Sequence, residues 1–179
     1  EDRKKELSSM GFFDDNIKKK LPKYPKLIGV LTSASGSVIH DIIHRISERF
    51  PITQLQVYPI SVQGKNSHIE IIDFLDLIEN HKIKDLIKPD LIIFARGGGS
   101  LEELMPFNEP DLIKRVFNLK IPNISAIGHE TDYTLLDYVS DLRAPTPTAA
   151  AEIAVPDKNH LLNHIHDLKE KLNYSIEQR

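Results

Sequence analysis

The chain contains no cysteine, which excludes disulfides and thiolate metal sites and leans towards a reducing compartment. It also lacks any apolar run long enough to span a bilayer. No secretory pattern opens it, and these features together set the expectation of a cytoplasmic protein that does not contact membrane. Basic charge is not in excess: 23 Lys and Arg against 26 Asp and Glu give a net charge of −3. No global field therefore advertises nucleic acid, and a nucleic-acid enzyme must concentrate its cations locally. Two nucleotide signatures are missing as well. No Gly-x-Gly-x-x-Gly follows the first strand, and no Lys follows a glycine loop as in a P-loop. That weakens the case for a nucleotide-dependent Rossmann enzyme.

What remains is ordinary globular material. The 179 residues suffice for one well-buried domain with an appendage. The chain starts without Met and in mid-pattern, so a fragment of a longer protein is expected. Residues 1–25 read as a short helix and an irregular arm. The arm carries Lys18-Lys19-Lys20, either a solvated run or a strand-steering patch.

Regular patterning begins at Lys26. Leu27–Thr32, Leu55–Ile60, Leu91–Ala95 and Pro122–Ile127 read as strands. Helices are expected from Gly36-Ser37, from His68 to about His81, around 101–105 and 110–118, and from Thr134 to Asp141. Strands alternating with helices imply parallel crossovers. The expected fold is α/β, an open, doubly wound, mainly parallel sheet of Rossmann or flavodoxin type, spanning 26–156. Thr146 followed by Pro147 marks a further helix start, and Pro156 should break that helix. Beyond it, Leu161, Ile165, Leu168 and Leu172 fall at spacings of four, three and four. Residues 157–179 thus read as the start of a coiled-coil-like helical extension. A seam this short should fray unless it finds a partner.

The richest stretch is Asp90–Leu104. A buried strand runs into Arg96-Gly97-Gly98-Gly99-Ser100 and then a helix-forming segment. Glycines let backbone N–H groups approach an anion, and arginine presents a planar fork to phosphate oxygens. In a parallel sheet this loop shares a rim with two others. One is Thr32-Ser33-Ala34-Ser35-Gly36, whose helix carries His40, Asp41 and His44. The other is Gly128-His129-Glu130-Thr131-Asp132. Phosphate contacts are expected from Ser33, Ser35, Gly36, Gly97, Gly98, Gly99 and Ser100. Arg143 is either a further phosphate contact or a structural clamp. Asp41 reads as a site carboxylate or as a charge favouring the first helical turns. His129 is a proton-transfer group or a capping residue, and Asp132 a site carboxylate or a helix N-cap. His40 and His44 share a helix face but have no sequence-evident third ligand, so no metal site is expected.

Four motifs, in order, resemble the large subunit of the exodeoxyribonuclease VII family. They are Gly29–Asp41, Arg96–Leu104 with Phe107-Asn108, Ser125–Asp132, and Asp141–Glu152. The resemblance spans roughly residues 10–156. It implies a nuclease degrading single-stranded DNA from either end into oligonucleotides, with a role in DNA repair. It implies that no divalent metal or other cofactor is required. The proposed catalytic residues of the family match Asp41, Arg96, His129 and Asp132. It also implies small-subunit partners docking on long C-terminal helices, of which only a root is expected here, and an N-terminal OB-fold that this chain lacks. The excised domain is therefore expected to be weak or inactive alone. A non-catalytic phosphate- or nucleic-acid-binding assembly module is the alternative reading.

Overall fold

A computed structural model describes all residues except 1, 35, 62–63, 65, 81–86, 99–100, 129–130 and 179. Five strands form one sheet: β1 (Leu27–Thr32), β2 (Gln54–Pro59), β3 (Leu91–Ala95), β4 (Asn123–Ala126) and β5 (Leu142–Arg143). Their order is β2-β1-β3-β4-β5, and every pairing is parallel. Around the sheet lie α1 (Asp2–Ser9), α2 (Ser37–Arg49), α3 (Ser67–Glu79), α4 (Leu101–Leu104), α5 (Pro110–Phe117), α6 (Leu135–Val139) and α7 (Pro147–Ala154). A last helix, α8, covers Lys158–Glu177. The open parallel α/β architecture is the one expected.

The strand sequences dictate the two layers. Successive side chains alternate faces, so Ile28, Val30, Ile93, Ala95 and Ala126 pack on one side. There they meet Ile39, Ile42 and Ile46 of α2 and Ala150, Ala151 and Ala154 of α7. Leu31, Ile92 and Phe94 point the other way, into Ile71, Leu75 and Ile78 of α3 and Leu112, Ile113 and Val116 of α5. Both faces being covered, β1, β3 and β4 are buried throughout; β1 and β3 read as apolar runs closed only by Thr32, whereas β4 includes Asn123 and Ser125, which bond Asp141 and Asp137. The edge strand β2 buries only Tyr58, whose hydroxyl burial pushes up to a pKa of about 12.

Several elements differ from the sequence expectation: β2 lies one residue earlier, at Gln54–Pro59 rather than Leu55–Ile60. The fourth strand stops one residue short at either end, at Asn123 and Ala126. Helix α6 is shorter than expected, and its N-cap is Thr134. The two-residue β5 was not anticipated, because two residues carry no readable alternation. It pairs Leu142 with Ile124 and Arg143 with Ser125.

The ends of the chain also have clear causes. Leu7 of α1 is buried in the core, and Phe12 stacks on Phe117 at 4.2 Å between ring centres. Lys18 and Lys19 are not a solvated run. The Lys18 ammonium donates to the Tyr138 and Ser140 carbonyls, and Lys19 bonds Asp141 through its backbone and its side chain. Pro156 separates α7 from α8, as expected. Asp157 caps α8, and the Asn159 N–H holds its carboxyl below the usual carboxylate range. Helix α8 itself buries no residue.

Candidate active site

Strand β1 is followed by β2 on one side, and β3 then returns to its other side. This reversal opens a crevice at the carboxyl ends of β1 and β3, where open α/β sheets place ligands. Ser33, Ala34, Gly36 and residues 96–98 border it. A Cβ added at Gly97 would lie 3.2 Å from Cγ2 of Val38, so the loop after β3 rests against the first turn of α2. Glycine permits that approach.

Arg96 leaves the end of β3, and its backbone N–H donates to the Ala126 carbonyl at 3.1 Å. The residue is only 3% exposed, which is rare for an arginine. One side of its guanidinium, Nη2, is hydrogen-bonded and ion-paired to Glu103 Oε2. The other, Nη1, is buried and has no hydrogen-bond partner among the described residues. A buried cation with a spare donor is set up to receive an anion.

The next strand end adds the loop after β4. A Cβ at Gly128 would come within 1.9 Å of the Asp132 carbonyl oxygen, so the chain doubles back tightly there and only glycine fits. Asp132 is half-buried, and its Oδ1 accepts from Thr131 Oγ1 at 3.3 Å. It is not the helix cap. Thr134 takes that place, accepting from the Asp137 N–H at 3.3 Å. Asp137 replies by accepting from the Thr134 N–H at 2.8 Å, which closes a capping box.

Asp137 does more than cap. Its carboxyl is almost fully buried, and it accepts from Ser125 Oγ of β4 at 2.6 Å and from Thr134 Oγ1 at 2.9 Å. Arg143 Nε of β5 lies 3.9 Å from the same carboxyl group. The Arg143 guanidinium sits over the Tyr133 ring at 3.8 Å. Of the two readings of Arg143, the clamp therefore has visible contacts. Asn108 ties the β3 and β4 connections together. Its Oδ1 accepts from the Leu135 N–H at 2.8 Å, and its Nδ2 donates to the Leu104 carbonyl at 3.1 Å.

The topology thus carries Ser33, Gly36, Arg96, Gly97, Gly98 and Asp132 to one end of the sheet, on three adjacent connections. Asp41 is exposed on α2, off the buried face formed by Val38, Ile39, Ile42 and Ile46. His40 and His44 are exposed too, with His44 Nδ1 3.5 Å from Glu48. Ser35, Gly99, Ser100 and His129 lie outside the described residues. Among the described residues, no group of three or more His, Asp or Glu side chains is arranged to hold a metal ion. No helix among them is long and apolar enough to cross a membrane.

Sequence reasoning gave no role to the supporting groups Glu103, Asn108, Ser125 and Asp137, although the first three lie inside the motifs quoted above. Asp137 had a local signal of its own, the Thr134-x-x-Asp137 spacing of a capping box.

A family model described as "Exonuclease VII, large subunit" matches residues 12–179. The exodeoxyribonuclease 7 large subunit of Bartonella quintana (strain Toulouse) is 51% identical over 177 residues, covering 98% of this chain and 37% of that protein. The Rickettsia bellii (strain OSU 85-389) protein of the same name is 49% identical over 177 residues, 99% of this chain and 39% of that protein. That of Acholeplasma laidlawii (strain PG-8A) is 45% identical over 179 residues, 100% of this chain and 39% of that protein. The chain spans under two fifths of the length of these relatives.

Proposed function

Because this chain belongs to the exonuclease VII large-subunit family, we propose that it is the catalytic domain of a nuclease acting on single-stranded DNA. The reaction is hydrolysis of phosphodiester bonds from either end to give oligonucleotides, in DNA repair and degradation in the cytoplasm. The observation that carries this reading is Arg96, buried beside the switch-point crevice with Nη1 unpartnered among the described residues.

In this mechanism Arg96 and the glycine-loop N–H groups, Gly97 to Gly99, stabilise the charge that builds on the phosphoryl oxygens. Ser33, Ser35, Gly36 and Ser100 hold the same phosphate from either side. His129 transfers protons, as base towards water or as acid towards the leaving oxygen. Asp132 or Asp41 orients the imidazole or the water. Half-burial beside the tight turn at Gly128 favours Asp132 over the exposed Asp41. The guanidinium and the loop amides supply fixed positive character, so this reading requires no divalent metal. Arg143 supports the site through Asp137 and Tyr133 rather than through direct phosphate contact.

Small subunits are the proposed partners, docking on α8. Its Ile165, Leu168, Leu172 and Ile176 are each more than half exposed and recur at helical spacing, an apolar stripe that needs a cover.

The test is degradation of end-labelled single-stranded DNA by the full-length large subunit assembled with its small subunit, with and without chelator. Release of short oligonucleotides in chelator, abolished by Arg96→Ala, is the expected result. An Arg96→Ala complex as active as wild type would overturn the assignment.

A further inference from the structure

Beside the rim, a cleft of about 510 Å³ opens between α1, residues 105–108 and Tyr133–Tyr138. That volume lies in the range of small-ligand sites, about 300–1,000 Å³. Two of its walls descend from the connections that carry Arg96 and Asp132, which Asn108 joins by its bond to the Leu135 N–H. The cleft and the crevice therefore share one end of the sheet.

Its aromatic wall has an unusual construction. The Arg143 guanidinium lies 3.8 Å from the Tyr133 ring centre. Tyr133 and Tyr138 are 5.5 Å apart and inclined by 32°. The Lys4 ammonium then lies 3.8 Å from the Tyr138 ring centre. Each cation is held against one ring's negative face, and the two rings meet at a tilt rather than face to face. Tyr138 is half-buried, anchored by Phe13 at 5.6 Å. Tyr133 is 54% exposed, and the neighbouring Met105 is 53% exposed. Core packing does not explain two large side chains left this open on a cleft. The charges around the cleft are mixed. Arg3 and Lys4 face the cleft against Asp2, and Glu109, 3.3 Å from Arg3, draws on the former.

We propose that this cleft is a subsite for one unpaired base of the DNA strand, held against Tyr133 and Met105, with a flanking phosphate near Lys4. The inference rests on the single-strand reading above and extends it from the reacting phosphate to a neighbouring nucleotide. Aromatic surface beside cations is the usual platform for single strands, and it tolerates every base because every base has a π-face. The subsite keeps the strand in register while its phosphate occupies the Arg96 crevice.

The experiment measures binding by the full-length complex, using fluorescence anisotropy. One probe is a phosphorothioate-protected oligothymidylate; the other is the same backbone made wholly abasic. Tyr133→Ala is expected to weaken oligothymidylate binding by roughly five- to hundredfold, the scale of one base–aromatic stack. Tyr133→Phe, which keeps the ring beneath Arg143, should bind as wild type, and Tyr133→Ala should lose less on the abasic strand than on oligothymidylate. Met105→Glu, a change at an exposed position, should also weaken oligothymidylate binding. Wild-type binding by both Tyr133→Ala and Met105→Glu overturns the subsite and leaves the nuclease reading intact. So does an equal loss on both strands, which would mean that no base is contacted. A wild-type complex that neither binds nor degrades single strands overturns both.

Discussion

Removal of the Asp137 carboxyl tests whether one buried group joins three parts of the domain. In Asp137→Ala the Thr134 N–H and hydroxyl lose their acceptor, and so does Ser125 Oγ of β4. Loss of an N-terminal cap interaction costs about 1 kcal/mol. Leaving a buried hydroxyl unsatisfied costs about 1–3 kcal/mol more. Arg143 also loses a carboxyl 3.9 Å away, a contact long enough to add little. The sum is roughly 3 kcal/mol, and a domain of this size loses about 2–4 °C of Tm per kcal/mol. Thermal unfolding followed by circular dichroism should therefore show Tm falling by roughly 6–12 °C. Ser125→Ala in the same background should add little, because its partner is already gone. A Tm within about 2 °C of wild type would refute the argument. It would mean that water satisfies the freed donors.

Other outcomes follow from the same geometry. His129→Ala in the assembled complex should lower turnover by about 10²–10⁴-fold, the usual worth of a positioned proton-transfer group; near-normal single-turnover rates would remove it from the mechanism. Glu103→Gln should reduce turnover in wild type and change nothing in an Arg96→Ala background, because the two groups form one pair; additive losses would show that Glu103 acts separately. Tyr58 titrates near 12 when folded and near 10 when unfolded, so the unfolded chain loses its proton first as pH rises. Stability should fall between these values, and Tyr58→Phe should flatten that alkaline limb in denaturant titrations; an unchanged slope would refute it. Leu168→Asp on α8 should weaken co-purification of the small subunit while the α/β domain keeps its Tm, since the residue is 52% exposed; unchanged co-purification would place the partner elsewhere.

The layered fold was legible because β1 and β3 are buried on both faces and are written as nearly continuous apolar runs. Helix α2 was legible for a related reason: its buried Val38, Ile39, Ile42 and Ile46 follow the helical period. Strand β5 was not, since its two residues are held by register with Ile124 and Ser125 rather than by any pattern of their own. The site followed the same division. Arg96 announced itself by an arginine before glycines at a strand end. Glu103 did not, because a glutamate in a short helix has the same appearance whether it faces solvent or a buried guanidinium. Lys18 and Lys19 misled for the converse reason. A lysine run reads as solvated, yet here it meets carbonyls and a carboxyl more than a hundred residues away. Long-range polar pairing of this kind has no sequence period to betray it.

Helix α8 leaves the domain as a strut. Twenty residues at about 1.5 Å each carry its tip roughly 30 Å from Pro156. Since none of those residues is buried, its direction is set almost entirely at the root. There Arg49 meets Asp157 at 3.2 Å, and Leu161 packs partly against the core. The arrangement is a lever with a short, lightly loaded fulcrum. A tilt of about 10° at the root moves the tip by about 5 Å, given that length. Substitutions at Arg49 or Leu161 are thus magnified at a distance, whereas changes along the shaft leave its aim untouched.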